Sequence, residues 1–82
     1  MVQVNLYAAA RAAIGSNSIN VEITNLHELI EVLCGLEPKM ESILKSSKFL
    51  VDGTPLHDLT ASINNAREID VLPQFAGGSS PF

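Results

Sequence analysis

Tryptophan is absent from this chain, tyrosine and cysteine occur once each, and only five residues are basic. The lone Cys34 excludes an internal disulfide and any zinc or iron–sulfur site built from cysteines alone. The basic residues Arg11, Lys39, Lys45, Lys48 and Arg67 are scattered through a chain of net charge −4. No basic stripe is available to neutralise phosphates, so neither nucleic acid nor an anionic membrane is expected as a partner. No apolar run approaches the ~18 residues that span a bilayer. The opening VQVNLYA reads as a strand rather than a signal peptide, so a cytoplasmic location is expected. With 82 residues the chain makes one domain with one small core, too little to wall a deep catalytic cleft.

What is present is apolar and patterned. Hydrophobic residues make up 46% and charged residues 17%, the balance of a folded globule. Val2, Val4, Leu6 and Ala8 alternate with polar residues, the period of a half-buried strand. A second alternating run, Ile19, Val21 and Ile23, follows the turn residues Gly15-Ser16-Asn17-Ser18. The two read as a wide hairpin joined by a long loop. The period then changes. Leu26, Leu29, Ile30 and Leu33 form a helical apolar face, with Asn25 as cap, Glu28 three residues on, and Gly35 as the expected stop.

Pro38 opens a shorter helical stretch through Met40, Ile43 and Leu44. Phe49-Leu50-Val51 reads as a strand and Asp52-Gly53 as a turn. Residues 56–66 read as irregular, with room for one helical turn at 59–64. Ile69-Asp70-Val71-Leu72 is the last strand, ended by Pro73. The order strand, strand, helix, short helix, strand, strand makes an α+β domain over residues 1–75. The main helix must cover one face of a mixed sheet, with the first and last strands as a parallel central pair. This is the β-grasp, or ubiquitin-like, architecture. Residues 76–82 read as a flexible tail containing Gly77-Gly78 and a four-residue extension.

With these elements in order the chain resembles the MoaD/ThiS sulfur-carrier family, and more nearly the small subunit of molybdopterin synthase than the thiamine carrier. Three stretches carry the resemblance. LYAAARAAIG, residues 6–15, places Ala8, Arg11 and Gly15 on family positions. LVDGTPL, residues 50–56, matches a strand and turn. EIDVLPQFAGG, residues 68–78, matches the closing strand, proline and Gly-Gly, and is the specific motif. Departures are visible. Ala66-Arg67-Glu68 stands where Gly-Asp-Glu is common, and Pro73 is followed by Gln74 rather than a second proline. The family's carriers end at the second glycine, whereas Ser79-Ser80-Pro81-Phe82 follows here.

The resemblance implies a chemistry. Gly78 would carry the acyl group, first as an adenylate and then as a thiocarboxylate. Gly77 and Ala76 would thread a narrow passage in a partner, which side chains would block. Phe75, Pro73 and Arg11 would meet partners. An adenylating enzyme of the ubiquitin-activating type would spend ATP on the terminal carboxylate, and the large subunit of molybdopterin synthase would receive the tail. The chain itself would be a non-catalytic carrier that binds no metal and holds no cofactor stably. Gly78 has no free carboxylate while Ser79 follows, so a processing protease is expected to remove residues 79–82. Two alternatives remain open: a carrier that serves thiamine, cysteine or another metabolite, and a ubiquitin-like binding module or protein modifier without sulfur chemistry.

Other residues have simpler readings. Cys34 lies beside the helical stripe and reads as a small buried hydrophobe. His27 and His57 have no ligand spacing to each other or to Cys34 and read as surface residues. Glu28, Glu31, Glu37 and Glu41 read as a solvated helix face. Phe49 reads as core. Arg11 either pins the first loop or meets a partner.

Overall fold

A computed structural model describes residues 1–74. The sheet has five strands, β1 (Val2–Leu6), β2 (Ser18–Val21), β3 (Ser47–Val51), β4 (Thr54–Pro55) and β5 (Glu68–Pro73). The helices are α1 (Ala8–Ile14), α2 (Leu26–Leu36) and α3 (Met40–Lys45). The sheet order is β2-β1-β5-β3-β4. β1 and β5 run parallel at the centre, with Val4 opposite Ile69 and Leu6 opposite Val71. The other pairings are antiparallel. The fold is the expected mixed-sheet β-grasp.

Alternation decides which face is covered. Val2, Val4, Leu6, Ile69, Val71 and Phe49 point to one side and are buried. Leu26, Leu29 and Leu33 of α2 pack there with no exposed surface, and Met40 and Leu44 of α3 extend the core. No polar or charged residue is buried among the described residues. Apolar burial at roughly 25 cal/mol per Å² is therefore the main force holding the sheet to α2. The opposite face carries Gln3, Asn5, Glu68 and Asp70. There the Asn5 amide donates to Asp70 at 2.8 Å and to Glu68 at 3.2 Å.

Three local readings need correction. Residues 8–14 are a helix rather than a loop. Five of its seven residues are alanine, the strongest helix former, and Ala10 is buried. Gly15 caps it in the left-handed region at φ 84°, its N–H donating to the Arg11 carbonyl at 2.8 Å. Gly35 does not end α2. The helix runs to Leu36 and stops at Glu37, which is extended because Pro38 follows. The segment 56–67 has no helical turn. It folds through reverse turns closed from Asp58 to Ala61 and from Ile63 to Ala66, and it sends Ile63 into the core. Backbone bonds lace it to the start of α2 and the residues just before it, the His27 N–H donating to the Leu59 carbonyl and the Ile63 N–H to the Thr24 carbonyl.

Acidic side chains organise the connections. Asn25 caps α2 by accepting from the Glu28 N–H at 2.8 Å, and Glu28 reaches back to the Thr24 N–H at 2.6 Å. Asp52 and Gly53, at φ 50° and 85°, form a turn of the I′ type between β3 and β4. The Asp52 carboxylate accepts from the backbone N–H groups of Glu68 at 2.9 Å and Arg67 at 3.0 Å, fastening the start of β5. Those two bonds hold its carboxyl below the usual range.

Two outcomes follow from this packing. Leu29→Ala should cost about 2–5 kcal/mol, comparable with the whole stability of a small domain. Urea unfolding followed by circular dichroism measures it, and a loss under about 1 kcal/mol would contradict the buried α2 face. The lowered Asp52 value makes its contribution complete above about pH 4 and lost as the pH falls through the folded-state value. Asp52→Asn should therefore flatten the fall in melting temperature as the pH drops below about 4, and the two curves should converge at the acid end. Parallel curves would assign the acid lability to other carboxylates.

Candidate functional site

The end of β5 is where the chain leaves the sheet toward Gly77-Gly78. Pro73 is opposite Ser47 in the β3–β5 register and half-buried. Proline cannot donate to a ladder, so it suits the strand's last position. One further backbone bond, the Gln74 N–H to the Ser46 carbonyl at 3.2 Å, fixes the direction in which the chain departs. Phe75, Ala76, Gly77 and Gly78, together with the extension 79–82, lie outside the described residues.

The exit is lined from two helices. Ala8 and Ala9 of α1, and Ser42 and Ile43 of α3 with Ser46 after it, surround Pro73 and Gln74 in a hollow of about 240 Å³. These side chains are small. Ala8 reaches its place in the left-handed region, at φ 51°, which costs an alanine roughly 1–2 kcal/mol. Tyr7 before it is extended, and its carbonyl accepts from the N–H groups of Ala10 and Arg11. The chain thus turns sharply from β1 into α1 beside the exit. At the far end of α3 the Ser47 hydroxyl donates to the Ile43 carbonyl at 2.7 Å.

Of the expected site residues, Pro73 lines this hollow and Arg11 does not. Arg11 is exposed in the last turn of α1 and makes no side-chain hydrogen bond among the described residues. Its pinning of the first loop is not seen there; Gly15 and the Tyr7 carbonyl perform that task. Cys34 is half-buried against the core, and His27 and His57 are exposed. Among the described residues no group of His, Cys, Asp and Glu side chains could hold a metal ion. No helix among them is long and apolar enough to cross a membrane.

Two features of this region escaped the sequence reading. One is the wall that α1 makes; its signal was the run of alanines, set aside there in favour of the turn residues after it. The other is a pair of half-buried leucines on the uncovered sheet face. Leu72 lies opposite Lys48 and Leu50 opposite Asp70, so the pair shares a face with Asn5 and Asp70. Strict alternation along residues 68–73 placed Leu72 there from the outset.

No protein-family model matches the chain, and no curated protein matches it in sequence. Solved structures do match it in fold. Small archaeal modifier protein 1 (SAMP1) from Methanosarcina acetivorans superposes with a TM-score of 0.79 at 21% identity, covering 94% of this chain and 95% of that one. SAMP1 from Haloferax volcanii gives 0.77 at 19% identity, covering 94% and 98%. A chain from the complex of subunits 1 and 2 of molybdopterin-converting factor from Helicobacter pylori gives 0.65 at 17% identity, covering 94% and 97%. The chain therefore shares the β-grasp fold of these solved structures.

Because the exposed Arg11 guanidinium makes no hydrogen bond among the described residues, Arg11→Ala should leave folding stability within about 0.5 kcal/mol. A thermal or urea titration decides it. A larger loss would return Arg11 to a loop-pinning role.

Proposed function

We propose that this chain is a ubiquitin-like sulfur carrier of the kind that forms the small subunit of molybdopterin synthase, bearing sulfur as a thiocarboxylate on Gly78. The observation that carries this reading is the placement of Pro73 at the end of a central strand, five residues before Gly78, in a fold shared with a molybdopterin-converting-factor subunit. Structural neighbours named as modifiers and as a converting-factor subunit support a fold suited to presenting a terminus to other proteins.

The chemistry follows from the terminus. A free carboxylate is a poor acyl donor. Transfer of AMP from ATP, with release of pyrophosphate, makes a mixed anhydride at Gly78. A sulfur nucleophile then attacks the carbonyl carbon, and AMP leaves with one former carboxylate oxygen. The thiocarboxylate donates its sulfur in turn to a substrate held by a larger subunit. That partner matches the subunit 1–subunit 2 complex found for the Helicobacter pylori protein. The adenylating enzyme supplies the ATP chemistry, so this chain needs no acid, base, metal or resident cofactor of its own. Gly77 and Ala76 give the clearance, and Phe75, Pro73 and Arg11 are the residues assigned to meet the partner. The peptide bond from Gly78 to Ser79 has to be cut first, because an amide presents no carboxylate to adenylate. A cytoplasmic location goes with ATP and with this set of partners.

The SAMP1 likeness favours a second reading, a protein modifier whose Gly78 ends in an amide to another protein. Intact-mass measurement of the untagged protein from its own cells separates the two. Loss of residues 79–82 with one oxygen replaced by sulfur establishes the carrier. Tryptic peptides in which lysines of other proteins carry residues 68–78 of this chain, the remnant left by cleavage after Arg67, establish the modifier. A mass ending at Phe82, with no conjugates, under conditions that demand the cofactor, overturns both.

A further inference from the structure

The two edges of the sheet are not alike. β4 closes one of them with Thr54 and Pro55. The Leu56 N–H donates to the Phe49 carbonyl at 3.0 Å, so along this ladder Pro55 is the residue whose backbone turns outward. Proline has no N–H to offer there. β2 forms the other edge, and its chemistry differs. Its sequence, Ser-Ile-Asn-Val, holds no proline, no lysine and no charge, the residues that guard an edge. The Leu6 N–H donates to the Asn17 carbonyl at 2.8 Å, which turns the backbones of Asn17, Ile19 and Val21 toward β1. Those of Ser18, Asn20 and Glu22 turn outward. Among the described residues nothing bonds to their N–H and carbonyl groups on that side.

The side chains decide what this edge accepts. Ser18, Asn20 and Glu22 are exposed and alternate with Ile19, which is half-buried, and Val21, which is buried on the helix-covered face. A two-fold axis at Asn20 makes the edge complementary to itself. It sets Asn20 against Asn20 of a second copy, Ser18 against Glu22, and Ile19 against Val21. An amide then meets an amide, a hydroxyl donates to a carboxylate, and two branched apolar side chains meet on the core side. The outward groups of residues 18, 20 and 22 close about six backbone hydrogen bonds. The two Glu22 carboxylates stand at opposite ends of the pairing. Moving the axis to Ile19 sets Val21 against Asn17. Moving it to Val21 sets Ser18 against Thr24, whose N–H and carbonyl are already bonded to Glu28 and Ile63. An unrelated extended segment would satisfy the backbone alone, whereas a second copy also matches the side chains.

The geometry points to β2 as a dimer edge, through which two copies of this chain join antiparallel along residues 18–22 into one continuous sheet. The contact is small beside the roughly 1,200 Å² or more of a stable interface, so the dimer is transient and forms at high concentration. The axis turns the second β5 antiparallel to the first, with β1 and β2 of each copy between them. The two exits therefore face opposite ways and neither is covered. The assignment is independent of the chemistry at Gly78.

The test uses the full chain. Nitrogen-15 spectra between about 20 µM and about 2 mM should show concentration-dependent amide shifts centred on residues 18–22, with slower translational diffusion at the upper end. Isotope-filtered spectra of mixed labelled and unlabelled copies should join the Ile19 methyls of one copy to the Val21 methyls of the other. Asn20→Pro deletes the central outward donor and leaves the β1 ladder, which uses Ile19 and Val21, in place. It should weaken association about tenfold or more with the circular dichroism spectrum unchanged. Asn20→Lys reduces the chain's net negative charge but sets two like charges together at the axis, and should weaken association at low salt as well. Amide positions that do not change up to about 2 mM overturn the proposal. So do shifts centred on the uncovered sheet face around Leu50 and Leu72, a filtered contact from Ile19 to Ile19, or association that neither variant weakens.

Discussion

The parallel pairing of β1 with β5 is the constraint on which the rest of the molecule depends. It joins residues 3–6 to residues 68–71, the two ends of the described chain. β5 is bonded on its other side to β3, so it is the middle strand and the one least free to shift. A slip of one residue would turn Ile69 and Val71, both without exposed surface, out of the core and bring Asp70 in. Register is therefore enforced by burial, and with it the height at which Pro73 and Gln74 leave the sheet. A terminus delivered by such a strand departs from a fixed point.

Charge has a different task from the core. The interior is wholly apolar among the described residues, whereas the three carboxyls held below their usual range all sit where the chain turns. Glu28 is lowered by the Thr24 N–H and then its hydroxyl, Asp52 by the N–H groups of Glu68 and then Arg67, and Asp58 by the Thr60 hydroxyl and then its N–H. Each satisfies backbone or hydroxyl donors that the sheet and helix ladders do not reach. Apolar burial chooses the architecture, and these acids fix how its connections run. Asp52 is the most consequential. It sits in the hairpin turn after β3 and grips the first residue of β5, linking the local turn to the central strand.

The parts legible in the sequence are those where a single period governs. The alternation in residues 2–6 and the 3.6-residue stripe of α2 each bury one face and were read with the correct side inward, and residues 69–72 were read as the last strand. The Asn25 cap was legible because its partner lies three residues away. What failed was local preference judged without its neighbours. The alanines of α1 carry no strong apolar stripe, and the Gly-Ser-Asn-Ser run after them looked like one long loop. In the fold Ala10 packs into the core and Gly15 merely ends the helix. Gly35 had the chemistry of a stop, but Pro38 sets the end of α2 through Glu37. The second role of Asp52 was not legible at all, since its donors lie fifteen and sixteen residues away. The exit hollow was legible only as Pro73, because its other walls come from α1 and α3.

The short helix α3 has a consequence out of proportion to its six residues. One of its sides, Ser42 and Ile43, faces the exit hollow; the other, Glu41, Leu44 and Lys45, faces a second, open concavity floored by Ile30, Phe49, Leu56 and Leu59. The partition continues at the entry to β3, where Ser46, just before the strand, belongs to the hollow and Ser47, opposite Pro73, to the second concavity. The two concavities are therefore neighbours that share a wall. Met40 and Leu44 anchor that wall in the core, so neither side can move without the other. α3 is thereby the fixed spacing between the end of β5 and the concavity on its other side.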